Sequence, residues 1–410
     1  MFNWAILGFI ITGVGLPLIG VIAGSFSEEG FNTDARRVHP IFAVLFMVTI
    51  YLTIGPFFAI PRTAATAFEL GAEPFFDPAS DIMLGGIIKL SLLIFTGGYF
   101  LIVFILSVKP SNLVNVVGKI LTPLLLLSIF ALVIRAVFVL NQSVIEVSSN
   151  FNASAPFFNG FLDGYETMDT IAAVAFSIIV LKAIRATGLN TQKEIFRNSF
   201  KAALVAGGCL AVIYLALGWV GNNYPISLEE QTMLTETKRH YGTYILTQVA
   251  GITYGTGGKV LLAIIVMLAC LTTAIGLVVS VSSYFYDLWP RFSYKTYATI
   301  FTLISFALSN QGLSQVIQGS IPVLLIVYPI TIVLIVLIFI DRLFKGIPDQ
   351  CFKFSIGATL LVSILSQFYS KPWLPFASIS MQWIVPAIVG LILGSLGSVL
   401  AKKQKVAIEP

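Results

Sequence analysis

The chain has 410 residues, of which 57% are hydrophobic and only 10% charged, with a net charge of +5. Soluble domains carry about a quarter charged residues; this balance excludes a soluble enzyme, and the basic excess marks membrane sidedness rather than nucleic-acid binding. Cys209, Cys270 and Cys351 lie far apart, and neither His39 nor His240 has a second ligand at metal spacing, so neither a disulfide framework nor a metal site is expected.

The apolar runs are near the roughly 20 residues that cross a bilayer as helix, and they lack the alternation of a membrane barrel. The predicted class is an all-α polytopic membrane protein of eleven spans, near 2–24, 41–60, 85–107, 118–140, 159–183, 198–220, 259–286, 295–310, 318–340, 353–369 and 382–400. Seventeen Lys and Arg fall in alternate connections, from Arg36 and Arg37 to the tail Lys402, Lys403 and Lys405. The other side receives seven: Arg62, Lys89, Arg135, Lys238, Arg239, Lys259 and Lys371. Basic residues collect on the cytoplasmic side, so the C-terminus is expected inside and residue 1 outside.

Met1-Phe-Asn-Trp4 opens straight into the first span without a basic leader, unlike a signal peptide. An uncharged start placed outside, followed by an odd number of spans, reads as a chain lacking its first helix; a genuine eleven-span protein is the alternative. In the first span, Gly13, Gly15 and Gly20 allow close helix packing, and Pro17 loosens one hydrogen bond. The second span ends in Ile54-Gly-Pro-Phe-Phe-Ala-Ile-Pro-Arg-Thr-Ala-Ala-Thr-Ala-Phe-Glu69. Pro56 and Pro61 remove two donors, and irregular backbone at that depth belongs against protein or a cavity. Arg62, Thr63, Thr66 and Glu69 follow as a polar stripe, either cavity-lining or an interfacial helix end with a snorkelling arginine.

The outer loop 70–84 is acidic, with Glu73, Asp77 and Asp81, and 141–158 contains the triplet Asn152-Ala-Ser154. Next comes Asn159-Gly-Phe-Leu-Asp-Gly-Tyr-Glu-Thr-Met-Asp-Thr170, where three carboxylates stand at the mouth of a membrane-length run. Each ionisable group costs about 2.5–3.5 kcal/mol at bilayer depth even on lenient scales, so a binding site is expected here. A continuous helix would set Asp163, Glu166 and Asp169 within about a third of its circumference. In loop 221–257, Ser227-Leu-Glu-Glu230 fits a capping box, and Tyr244–Ala250 with Gly251, Gly255, Gly257 and Gly258 reads as a lid or a passive re-entrant loop. The seventh span carries Ala269-Cys-Leu-Thr-Thr-Ala-Ile-Gly276, whose Thr272 and Thr273 either bond back to their own helix or offer oxygens to a cation. Ser309-Asn-Gln-Gly-Leu-Ser-Gln-Val-Ile-Gln318 makes a polar approach to the ninth span, as a gate wall or a cap. Spans ten and eleven carry no buried charge, and the basic tail suits an anionic inner surface.

The two long motifs, 54–69 and 159–170, resemble signatures of the bacterial branched-chain amino acid carriers, and 269–276 and 309–318 resemble two further family stretches in order. The resemblance implies a symporter taking up leucine, isoleucine and valine with Na⁺ or H⁺, needing no cofactor beyond that cation. It also implies the five-plus-five inverted-repeat architecture, here without its first helix, whose Gly-Ala-Gly-Asn and Phe-Pro-Pro type motif is absent. On that reading 1–410 is one transmembrane domain: 1–140 an incomplete first repeat, 159–340 the second repeat, 353–400 two peripheral helices and 401–410 a cytoplasmic tail. The helix break is expected around Gly160, Gly164 and Thr167–Asp169. Gly164, Tyr165, Thr167, Met168, Asp169, Phe57 and Phe58 are then the expected substrate site. Asp169, Thr272 and Thr273 are the expected cation ligands, while Asp163, Glu166, Arg62, Glu69, Gln315 and Gln318 line a gate or vestibule. Asp169 as a structural cap of freed N–H groups is the alternative. A channel would need a polar stripe through several spans, and a membrane enzyme a nucleophile–base or metal constellation; neither is present. The expected setting is a bacterial cell membrane and the expected partners are lipid and a small amino acid; oligomeric state is open.

Overall fold

A computed structural model describes residues 1–27, 30–75, 82–84, 88–108, 122–140, 155–189, 191–237, 239–369 and 374–408. The Asn152 triplet, Asp77, Asp81, Lys109, Lys119, Lys238 and Lys371 lie outside them, as do the side chains of the basic tail. Each expected span has a helix. Apart from a two-residue antiparallel ladder, Met83–Leu84 with Ile88–Lys89, the described residues form helices and their connections.

Contacts divide the chain into two units, each drawn from separated stretches. The first holds Met1–Ile50, Asn152–Val212 and Ile321–Pro410; the second holds Tyr51–Phe151 and Ile213–Ser320.

In the first unit, α1 (Phe2–Ile10) and α2 (Leu16–Gly24) are joined by one π turn, Ile11–Gly15. Pro17 offers no N–H and crowds the preceding turn, and the wider turn absorbs both. After α3 (Phe31–Arg36) and α4 (Pro40–Leu52), the broken span supplies α8 (Pro156–Asp163), a 3₁₀ turn Gly164–Thr167 and α9 (Asp169–Ala186). The two helical parts meet at 43°. α1 and α8 touch backbone to backbone: a Cβ on Gly8 would overlap the Phe157 carbonyl, and one on Gly160 the Ala5 carbonyl. Arg37 gathers the loop between α14 (Leu313–Leu343) and α15 (Asp349–Phe368). Its guanidinium contacts Asp341 at 2.9 Å, Asp349 at 2.7 Å and the Ile347 carbonyl at 2.6 Å, and lies over the Phe352 ring. α15 packs on α16 (Ile384–Ile408) through Gly390 and Gly394, with Ser355 donating to the Ala387 carbonyl.

In the second unit, the second span is broken in its turn. A π turn, Thr53–Phe57, holds Gly55 at φ −95°, ψ −121°, and α5 (Ala59–Gly71) restarts beyond Phe58. Pro61 falls in the first turn of α5, where its missing N–H has no helical partner to lose, and the polar stripe from Arg62 to Glu69 is helical. α6 (Leu90–Val108) and α7 (Thr122–Leu140) follow, then α10 (Gln192–Asn223), which ends in this unit, and α11 (Leu228–Glu236). α12 (Tyr241–Leu288) runs 48 residues with one interruption, Gly255 at φ 62°; α13 spans Tyr294–Ser309.

One expected boundary is corrected: α14 begins at Leu313, so the polar approach to the ninth span is already its first turns. Ahead of the seventh span the chain is helical from Tyr241, and Val249 and Ala250 join a buried cluster with Leu132, Val133 and Ala136 of α7. The chain then turns sharply at Gly255, which brings Gly258 against the Ala250 carbonyl.

Candidate functional site

The break in the first unit is built from its sequence. Gly164 sits where a Cβ would overlap the Thr12 hydroxyl, so only glycine lets α8 approach the π turn. Met168 takes φ 62°, a left-handed conformation unusual for a side chain of its size, and this residue stops the 3₁₀ turn before α9. Thr167 Oγ1 stitches the gap: it donates to the Gly164 carbonyl at 2.8 Å and accepts from the Asp169 N–H at 3.4 Å. Thr12 closes it from the π turn, donating to the Phe161 carbonyl at 2.8 Å while its own carbonyl accepts from Thr170 Oγ1 at 3.3 Å.

The break alters the expected geometry of the carboxylates. Asp163 ends α8, Glu166 belongs to the 3₁₀ turn and Asp169 opens α9, so they do not share one face of one helix. Asp163 is exposed; Glu166 and Asp169 are half-buried. Asp169 stands in the first turn of α9, where the helix dipole favours negative charge.

Below the break, Tyr165 and Tyr328 stack with ring centroids 4.3 Å apart. Both are almost wholly buried; among the described residues neither hydroxyl makes a hydrogen bond of good geometry, Tyr165 lying beside Trp383 and Tyr328 beside Thr167 and Thr170. Tyr328 lies within electrostatic reach of Asp169. The Trp383 indole lies beside Tyr165, its N–H buried and, among the described residues, without a well-formed hydrogen bond. Sequence reasoning missed Thr12, Thr170, Tyr328 and Trp383; the signals available were the Pro17 kink and the Tyr328-Pro329 step. With Met381 and Trp383 buried, the approach to the last helix is part of this core rather than peripheral.

The remaining expected site residues belong to the second unit. Phe57 is exposed at the π turn, with Phe58 edge-on to it. Thr272 and Thr273 both donate to the Ala269 carbonyl at 2.9 Å, the back-bonded arrangement, which leaves their lone pairs available. Arg62 is half-buried, within electrostatic reach of His240 and Cys270. Gln315 is half-buried and Gln318 exposed on the first turns of α14.

Glu69 is buried and accepts from Thr243 Oγ1 at 2.5 Å. Glu73 pairs with Lys89 at 3.0 Å and Arg239 at 3.2 Å. Outside the spans, Ser227 and Glu230 form the expected capping box on α11, and Glu230 also accepts from Tyr244 at 2.7 Å and Tyr224 at 3.4 Å. Burial works against its ionised form, yet hydrogen bonds from Ser227, Tyr244 and Tyr224 outweigh it and hold the carboxyl below its usual range. Burial, then the Glu230 charge, pushes the Tyr224 phenol up to about 12.

A family profile described as "Branched-chain amino acid transport protein" matches residues 1–401. A Staphylococcus saprophyticus protein, provisionally named a branched-chain amino acid carrier, is 45% identical over 98% of this chain and 90% of its own length. A Staphylococcus aureus protein of the same provisional name is 42% identical over 99% of this chain and 91% of its own. Among solved structures, Mhp1, a nucleobase-cation-symport-1 family transporter in a closed conformation with bromovinylhydantoin bound, superposes with a TM-score of 0.60. That match covers 98% of this chain and 87% of Mhp1 at 13% identity, a likeness of fold alone.

Proposed function

The chain belongs to the family of branched-chain amino acid transport proteins, and on that premise we propose that it imports leucine, isoleucine and valine across a bacterial cell membrane by cation symport. The observation that carries this reading is the interruption at 164–168 inside a membrane-length helix. Interrupted helices place unpaired N–H groups and loose carbonyls where a substrate's charged ends and a cation are held. In this reading the start of α9 and the donors of Tyr165, Tyr328 and Trp383 take the amino acid's polar end. Asp169 meets its ammonium or the coupling cation; within the first unit Met168 supplies apolar wall and Asp163 and Glu166 line an approach. In the second unit, taken by itself, Thr272 and Thr273 offer oxygens to a cation, Phe57 and Phe58 are apolar wall, and Arg62, Gln315 and Gln318 line an approach. The protein works as a carrier and leaves its substrate chemically unchanged, with residue 1 outside and the C-terminus in the cytoplasm.

The test is accumulation of labelled leucine by proteoliposomes bearing the full chain, with and without an imposed Na⁺ or proton gradient. Accumulation above the external concentration, driven by one of these and competed by isoleucine and valine, is the expected result. Equilibration without accumulation would indicate a channel, and a chemically altered product an enzyme.

A further inference from the structure

Glu69 has a hydroxyl, not a cation, at hydrogen-bond distance. It lies in the last turns of α5, 7% exposed; the Thr243 hydroxyl donates to it, and the His240 backbone N–H lies within reach. Both neighbouring cations go instead to Glu73, four residues on. No ion pair reaches Glu69 among the described residues. Burying an ionised carboxylate without a counter-ion costs several kcal/mol, whereas its protonated form needs only ordinary hydrogen bonds.

Arg239 provides an independent observation. Its guanidinium lies beside Glu73 and over the Tyr244 ring, yet its Nε and Nη2 are buried and make no well-formed hydrogen bond. That unused donor capacity lies within electrostatic reach of Glu69. The Thr243 hydroxyl donates to Glu69 in either form, and an ionised Glu69 has a guanidinium close by as well. The same side chains therefore support two arrangements that differ by one proton.

Resting on the cation-symport reading, we propose that Glu69 carries the coupling proton. Its carboxylate takes a proton from hydronium, leaving water, as the loaded carrier forms. It returns that proton to water when the substrate leaves, and Arg239 then turns from Glu73 toward the ionised group. The charged and titratable groups around it are Glu73, Lys89, Arg239, His240 and Tyr244 from the elements facing α5, and Arg62 two turns back on α5 itself, with Tyr99 and Cys270 near Arg62.

Leucine uptake by proteoliposomes of the full chain, followed from about pH 5.5 to about pH 8.5 where a buried carboxylate titrates, tests this. Wild-type uptake falls about tenfold per pH unit on its alkaline limb, as one obligatory proton requires, and Glu69→Gln flattens that limb to less than about twofold overall. If Glu69→Gln carries no leucine at all, Thr243→Val decides. Losing the donor to the ionised carboxylate moves the limb to higher pH by about one unit, and an unmoved limb overturns the proposal. A flat wild-type profile, or a Glu69→Gln profile with the wild-type slope, overturns it while leaving transport standing. No accumulation by the wild type under any gradient removes the transport reading and this proposal together.

Discussion

Tyr165 and Tyr328 lie face to face, 4.3 Å between ring centroids, each with a buried hydroxyl that makes no well-formed hydrogen bond among the described residues. A buried hydroxyl left unpaired costs about 1–3 kcal/mol. Tyr328→Phe removes that cost and keeps the stack, so thermal stability in detergent holds or rises. If the hydroxyl serves the amino acid, the same variant raises the leucine KM about tenfold, the worth of one hydrogen bond. A stabilised variant with unchanged KM would leave Tyr328 a packing residue.

Asp169 opens α9 within electrostatic reach of Tyr328. Asp169→Asn retains the shape and a hydrogen-bonding side chain but removes the charge. Loss of a charge-assisted contact to an ammonium or cation lowers kcat/KM for leucine at least about tenfold. Equal uptake with equal cation dependence would reduce Asp169 to a helix cap.

Gly160→Ala drives a methyl into the Ala5 carbonyl, and backbone cannot yield as a flexible side chain does. The expected loss is about 1–3 kcal/mol, as for other overpacking, read as a lower melting temperature. Gly357→Ala in α15 is the control: a Cβ there meets nothing, and it should be neutral or stabilising by about 0.5–1 kcal/mol.

The Arg37 clasp divides unequally between its acids. Asp341 is 14% exposed and Asp349 60%, so solvent screens the second pair far more. Asp349→Asn should cost less than about 1 kcal/mol. Arg37→Ala strands the Ile347 carbonyl and leaves Asp341 only the Ile347 N–H at 2.8 Å, and should cost about 1–3 kcal/mol. Comparing thermal midpoints at low and high salt separates them, the Asp349 share fading as ionic strength rises.

Acid should release α11. Glu230 is held below its usual range in the folded protein, so its contribution is complete above the unfolded value of about 4.3 and is lost as pH falls through the lower folded value. Hydrogen exchange across 228–236, corrected for intrinsic rate, rises over that acid window. Glu230→Gln exchanges faster at neutral pH and shows little further change on acidification.

Hydrophobic length placed a helix at every span because the bilayer criterion needs only composition. The interruption at 164–168 was visible too, since Gly160, Gly164 and three acids are costly in lipid unless used. Local backbone choices were harder to read. Gly251, Gly257 and Gly258 signal a break in the sequence; the chain does turn sharply there, but at the single residue Gly255, with helix on both sides and Gly258 against the Ala250 carbonyl. Tyr328 and Trp383 were invisible because an aromatic residue in an apolar run reads as core, and α14 is apolar on every side, so no periodicity tells which face meets the broken helix. Thr12 was hidden for a related reason: its role comes from a π turn that Pro17 forces, not from its own neighbours.

The glycine contact between α1 and α8 also fixes how these helices are aligned. Where two helices meet through side chains, rotamers can adjust and a small slide is absorbed. Here Gly8 lies on the Phe157 carbonyl and Gly160 on the Ala5 carbonyl, so the pair admits one register. Moving either helix by a single position would bring Phe9 or Phe161 into a gap sized for a hydrogen atom. The interrupted span is therefore indexed against its neighbour, and the place where the helix opens is set as firmly as the fact that it opens.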